Sequence, residues 1–234
     1  MYKERLIIDY WYKKVNEFDD SKYLFDNYEE FPGGFYSVNK SNECFSFLQS
    51  ISNSNALAEY SIFSSVFAAL IKKYTQEDPI WLVSPSIAEI DSIKNGLVFY
   101  QIGINKDPSL KEIVNITKAE IENTLSFGSF EFEALKKQFN ITSEKENRLL
   151  QYGFSYSPVN LEATNLKKVK LHLNIIKQNS QFTIEVRYDR NKYNTAFIEN
   201  FVGHFLLLIS DLSSLLLKPL NEIDILSGKE KDIL

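Results

Sequence analysis

Apolar residues along the chain change their spacing from segment to segment, and the spacing separates helices from strands. Leu6, Tyr10, Trp11 and Val15 recur at helical intervals and predict a helix over Leu6 to Phe18. Ser41, with Glu43 behind it, can cap a helix running to about Ile51, where Asn53, Ser54 and Asn55 break it. Leu57, Tyr60, Phe63, Phe67, Leu70, Ile71 and Tyr74 then share one face of a long helix. Pro108-Ser109 opens another helix that continues through about Leu125, and a further one covers Glu131 to Phe139. Asn194 to Leu217 reads as a long amphipathic helix.

Other segments read as strands. Phe31-Pro-Gly-Gly is a turn signal, and Phe35 to Val38 follows it as a short strand. Ile80 to Val83, ended by Pro85, and Gly96 to Ile104 read as buried strands. Leu149 to Tyr156 alternates. So do Val169 to Ile176 and Phe182 to Tyr188, which form a β-hairpin across the polar loop Lys177-Gln-Asn-Ser-Gln. Strands interspersed with helices place the chain in the α/β or α+β class, a mixed sheet with packed helices. No internal repeat or low-complexity linker divides residues 1–234, which read as a single domain.

Composition narrows the function classes. A net charge of −5 and the lack of a basic run with stacking aromatics argue against nucleic acid. The N-terminus has no signal-peptide pattern, and the most apolar window, Phe205 to Leu217, is too short for a bilayer and contains Asp211. A cytoplasmic protein without a membrane partner is expected. Cys44 is the only cysteine, and its neighbours Phe45 and Phe47 predict a buried structural thiol. Tyr23, Phe25, Tyr28, Phe31, Phe35 and Tyr36 read as a strap on the protein's own core, with an interface as the alternative. Asp19, Asp20, Asp26, Glu29 and Glu30 read as a solvated face.

Catalytic candidates are few. The two histidines are His172, flanked by Leu171 and Leu173 on a strand, and His204, inside the last helix. His172 reads as a solvent-facing or satisfied sheet residue, and His204 as structural. A Ser-His-Asp arrangement is assembled in space and stays open at this point. No metal-ligand spacing, phosphate loop or Gly-x-Ser-x-Gly elbow occurs.

The tail reads Pro219-Leu-Asn-Glu222-Ile223-Asp224-Ile-Leu226-Ser. It resembles the closing segment of condensation domains from nonribosomal peptide synthetases, "P-x-x-E-I-D-x-L-S". Further matches follow in family order. Tyr10-Trp11 resembles an early "Y-W-x-x-x-L", and Lys73-Tyr74-Thr75-Gln76-Glu77-Asp78 resembles "R-Y-T-G-Q-E-D" without its glycine. Gly96-Leu-Val-Phe99-Tyr100-Gln-Ile-Gly-Ile-Asn105 resembles "G-x-F-V-N-T-x-P-x-R", with Tyr100 in place of Asn and Asn105 in place of Arg. Phe127-Gly-Ser129-Phe-Glu131-Phe132-Glu133-Ala-Leu135 resembles "H-Q-D-x-P-F-E-x-L", keeping Phe-Glu-x-Leu and losing the polar opening. Asn147 to Leu150 resembles "N-P-L-F", and Tyr188 to Tyr193 resembles "Y-N-x-x-x-F".

The resemblance maps onto the C-terminal half of such a domain and implies a chloramphenicol-acetyltransferase-like lobe. The family's His-His-x-x-x-Asp-Gly motif has no counterpart in this sequence. The resemblance therefore implies a partial, non-catalytic condensation domain with no cofactor of its own. It would serve as a scaffold or docking platform, with residues 219–234 starting a linker toward an adenylation domain. Other partners it implies are a carrier protein bearing phosphopantetheine, a histidine-bearing lobe in trans, and a second copy of this chain. The alternatives are half of a split amide-forming enzyme, a stand-alone acyltransferase, and an excised piece of an intact domain.

Overall fold

The computed structural model describes residues 2–17, 31–88, 96–161, 164–179 and 181–226. Among these, α1 is Tyr2–Asn16, β1 Gly33–Ser41, α2 Ser46–Ser52, α3 Ala56–Thr75, β2 Ile80–Pro85 and β3 Gly96–Ile102. Then come α4 Leu110–Phe127, β4 Phe130–Glu131, α5 Phe132–Gln138, α6 Ser143–Leu149 and β5 Tyr152–Tyr156. The chain closes with β6 Leu171–Lys177, β7 Gln181–Asp189, α7 Thr195–Ser210 and α8 Leu212–Leu215. The described strands form one seven-stranded sheet in the order β1-β7-β6-β5-β2-β3-β4. β2, β5 and β6 are parallel and central, and the outer pairings are antiparallel. The mixed sheet and packed helices agree with the class read from the sequence.

The core is built around α3. Asn55 caps it by accepting the Ala58 N–H at 2.9 Å, and Gln76 ends it in the left-handed conformation. Every residue from Glu59 to Ile71 is buried, so this helix is covered on all sides through its middle. Phe63 and Phe67 pack on Phe182 and Phe154 of the sheet, and on Phe205 and Phe201 of α7. Ser61 and Ser64 satisfy their hydroxyls on carbonyls one turn back, so they enter the core without unpaired groups. The opening of α4 is a capping box in which Ser109 and Glu112 bond each other's backbone N–H. On the far edge, Trp11 of α1 meets Phe130 edge-on, and Phe132 meets Phe99.

Several sequence expectations are corrected. Gly33 and Gly34 do not turn; they extend β1 and pair with Asp189 and Tyr188. The Tyr188 ring fills the space over Gly34, where a Cβ would sit 2.2 Å from it. Ser41 makes no side-chain cap, and the helix after it begins as a 3-10 turn over Asn42–Phe45. Leu149 closes α6 rather than opening a strand, because Thr142 caps that helix by accepting the Lys145 N–H. The last long helix breaks at Asp211, whose carbonyl accepts from Ser214 and Leu215. Cys44 is half-buried, not buried. The acidic residues Asp19 to Glu30 and three of the strap aromatics, Tyr23, Phe25 and Tyr28, lie outside the described residues. Of the described strap residues, Phe35 is 55% exposed and Tyr36 is partly buried against the core.

Replacing Gly34 with Ala drives a methyl into the Tyr188 ring. We expect G34A to lower stability by about 1–3 kcal/mol, the range for overpacking. An unchanged urea midpoint would show that the ring moves aside freely.

Candidate functional site

The parallel strands β2, β5 and β6 point their C-terminal ends at one side of the molecule, where α3 begins. Polar side chains gather there inside an otherwise apolar core. Tyr60 Oη lies 2.7 Å from Ser84 Oγ and 3.2 Å from Tyr100 Oη. Asn160 donates to Ser84 Oγ and to the Pro85 carbonyl, and its own oxygen accepts the Tyr156 N–H. Burial pushes the Tyr60 hydroxyl up to about 12, against the opposing hydrogen bonds of Ser84 and Tyr100. Burial, reinforced by Tyr60, also raises Tyr100 well above the ordinary tyrosine range. Both phenols are therefore protonated at neutral pH, and the cluster offers hydroxyls, not a base.

Beside it sits a buried charge pair. Glu59, fully buried, accepts from Lys177 Nζ at 2.8 Å and from the Tyr156 hydroxyl. Burial and then the Glu59 carboxylate hold that phenol above its usual range.

The opposite face of β5, β6 and β7 carries a second polar row. Ser155 Oγ lies 2.8 Å from His172 Nε2 and 2.7 Å from Asn174 Oδ1, while Asn174 Nδ2 donates to Glu185 at 3.0 Å. The Glu185 carboxylate fixes the amide with its oxygen toward Ser155, so the serine proton goes to Asn174. His172 Nε2–H must then donate to Ser155. This wiring runs opposite to a nucleophile–base pair, where the imidazole accepts the serine proton. Nδ1, where a triad acid would bind, is buried without a hydrogen-bond partner. Burial, and secondly the Arg187 charge, lowers the His172 pKa to about 3. His172 is thus a buried, half-satisfied sheet residue and not a solvent-facing one. His204 is also buried, with Nδ1 2.7 Å from the Tyr74 hydroxyl.

The motif positions read from the sequence divide between two ends of the sheet. Gly96 is buried and pairs with exposed Glu131 across β3 and β4. Ser129 is buried, 2.7 Å from Ser86. Phe127 stacks on Tyr10 at 3.8 Å, and Phe99 and Phe132 are core. Glu133 is exposed and meets Lys168 at 3.5 Å. Asn105 lies past the other end of β3, exposed, on a cavity of about 310 Å³ that Lys72, Lys73 and Leu220 also line. It does not join the others. The sequence did not single out Tyr60, Ser84, Ser86, Asn160 or the Glu59–Lys177 pair. A serine-rich, tyrosine-bearing start to a buried helix was the available signal.

The tail packs onto the body. Leu220 N–H donates to the Pro108 carbonyl, Lys73 Nζ to the Leu220 carbonyl at 2.9 Å, and Asn221 N–H to Asp107. Ile223 is buried, Glu222 and Asp224 are exposed, and Leu226 is half-buried with its N–H on Asp224. Residues 227–234 lie outside the described residues. Among the described residues, no group of His, Cys, Asp and Glu side chains could hold a metal ion. No single described helix is long and apolar enough to cross a membrane.

The family model described as "Condensation domain" matches residues 102–234, more than half of the chain. The chain belongs to the condensation-domain family. This condensation-family chain is 20% identical over 205 residues to surfactin synthase subunit 1 of Bacillus subtilis (strain 168), covering 78% of itself and 6% of that protein. Its fold matches the starter condensation domain of rhizomide synthetase, solved with C8-CoA and Leu-SNAC, with a TM-score of 0.77 at 14% identity. That match covers 97% of this chain and 56% of the solved one. The X-domain from teicoplanin biosynthesis matches with a TM-score of 0.73 at 12% identity, covering 95% and 57%. The chain thus spans little more than half the length of these solved relatives and a small part of the synthase.

Two predictions follow from the geometry. Lys177→Met strands the Glu59 carboxylate and should cost about 3–5 kcal/mol; adding Glu59→Gln should recover most of it in chemical denaturation. The second concerns pH. The unfolded chain binds a proton at His172 near its ordinary pKa of 6.5, and the folded chain does so only near 3. Stability from this residue is therefore full above about pH 6.5 and falls as pH drops toward 3, by up to about 1.4 kcal/mol per pH unit. Urea midpoints between pH 7 and 4.5 should show that extra slope in the native chain and not in His172→Gln. Equal slopes would count against a neutral buried imidazole.

Proposed function

We propose that this chain is the C-terminal lobe of a nonribosomal peptide synthetase condensation domain, acting without catalysis as a scaffold beside an adenylation domain. The observation that carries the reading is where the departures from the family motifs put their side chains. Tyr100 turns its hydroxyl into the core toward Tyr60, Ser129 bonds Ser86, and Phe127 stacks on Tyr10. Positions that are polar in the family motifs serve packing here. The histidines support the same reading, since His172 donates to Ser155 and His204 is held by Tyr74. The coverage of 97% of this chain against 56% of a solved condensation domain fits one lobe of two.

As a scaffold, the chain would work through its docked tail. Tail residues Leu220 to Asp224 are tied to α3 and to the loop before α4, so a domain joined there would inherit a fixed orientation. Partners of this kind are an adenylation domain and a carrier protein whose phosphopantetheine holds the substrate.

The test is amide formation from an acyl N-acetylcysteamine thioester and an aminoacyl thioester. We expect no product above the buffer rate with the chain alone. Product that disappears in His172→Ala or His204→Ala would overturn the non-catalytic reading. Product that appears only when a histidine-bearing lobe is added would replace it with a split enzyme.

A further inference from the structure

Between α2, the first half of α3, α4 and α8 lies a cavity of about 550 Å³. It opens on the helical side of the molecule and shares no lining residue with the tyrosine–serine cluster. Ile62 and Ile121, both buried, line its deeper part. Leu57, Ala58, Val114 and Leu216, all half-buried, add aliphatic surface, and Ile51 remains 42% exposed beside them. A concave aliphatic space of this volume with a few polar groups is the form that small-molecule sites take. Water gains little there, because apolar walls offer it few hydrogen bonds.

The polar groups of the cavity decide the ligand's charge. Asn55 is committed to the Ala58 N–H, and Ser61 to the Leu57 carbonyl. Lys118 lies 3.8 Å from Glu122, and their charges cancel. Lys111 is the remaining cation, and its backbone N–H bonds the Leu216 carbonyl at 2.8 Å, which fixes the first turn of α4 against α8. Among the described residues, the cavity is thus mainly aliphatic, and Lys111 is the one cation on its lining with no ion pair.

We propose that this cavity binds an unbranched aliphatic chain ending in a carboxylate, with the chain over Ile62 and Ile121 and the carboxylate at Lys111. The site is separate from any condensation chemistry and stands whether or not the scaffold reading holds.

Calorimetric titration of the whole chain with hexanoate, octanoate, decanoate and dodecanoate, each below its micellar concentration, tests it. Binding should saturate at one ligand per chain and tighten about fourfold per methylene until the cavity is filled. Ala58→Phe places a ring in the opening and should weaken decanoate at least tenfold with an unchanged far-ultraviolet dichroism spectrum. Val114→Phe serves the same purpose if that variant does not fold. Lys111→Gln should weaken decanoate several-fold and leave decanol unchanged. The proposal is overturned by no saturable binding, by affinity independent of chain length, or by equal effects of Lys111→Gln on acid and alcohol. Concentration-dependent dimers in sedimentation that Ala58→Phe dissolves would also overturn it, assigning the cavity to contact between copies.

Discussion

The burial of the middle of α3, from Glu59 to Ile71, is the constraint on which the rest of the structure depends. A helix exposed on one side tolerates polar residues there, but this one has the sheet, α4 and α7 against it. Its serines therefore return their hydroxyls to the helix backbone, and Glu59 and Tyr60 need partners brought from the strands. Lys177 and Ser84 are those partners, one from each of the strands that flank β5. The positions of β2 and β6 relative to the helix are thus fixed by polar contacts as well as by the Phe63 and Phe67 packing. An unpaired polar group in this layer would cost more than an average hydrogen bond returns.

The helices were legible where the signal was local. The break at Asn53 to Asn55, the opening at Pro108-Ser109 and the spacing from Leu57 to Tyr74 each act within one or two turns, and the structure agrees with them. The hairpin of β6 and β7 was legible for the same reason. What failed depended on distant partners. Gly33 and Gly34 look like a turn until Tyr188 is laid over them from a strand some 150 residues later. Leu149 alternates plausibly with its successors, but the cap at Thr142 claims it for a helix.

The site shows the same division. Family order pointed to Tyr100, Ser129 and Phe127, and the structure sets them on β3, just before β4 and at the end of α4, with their side chains on Tyr60, Ser86 and Tyr10. Their inward orientation was not legible, because it depends on where α3 and α1 lie. His172 is a sharper case. Its sequence neighbours leave open whether it faces water, and only the register of Ser155, Asn174 and Glu185 across three strands sets the direction of its proton.

The docked tail has a mechanical meaning. Lys73, near the C-terminal end of α3, grips the Leu220 carbonyl, and Asp107 grips the Asn221 N–H. Tension applied at residue 226 therefore reaches the central helix through contacts formed in the last turn of that helix and in the loop before α4. The tail acts as a tether whose anchor is the end of the central helix and the loop that follows β3.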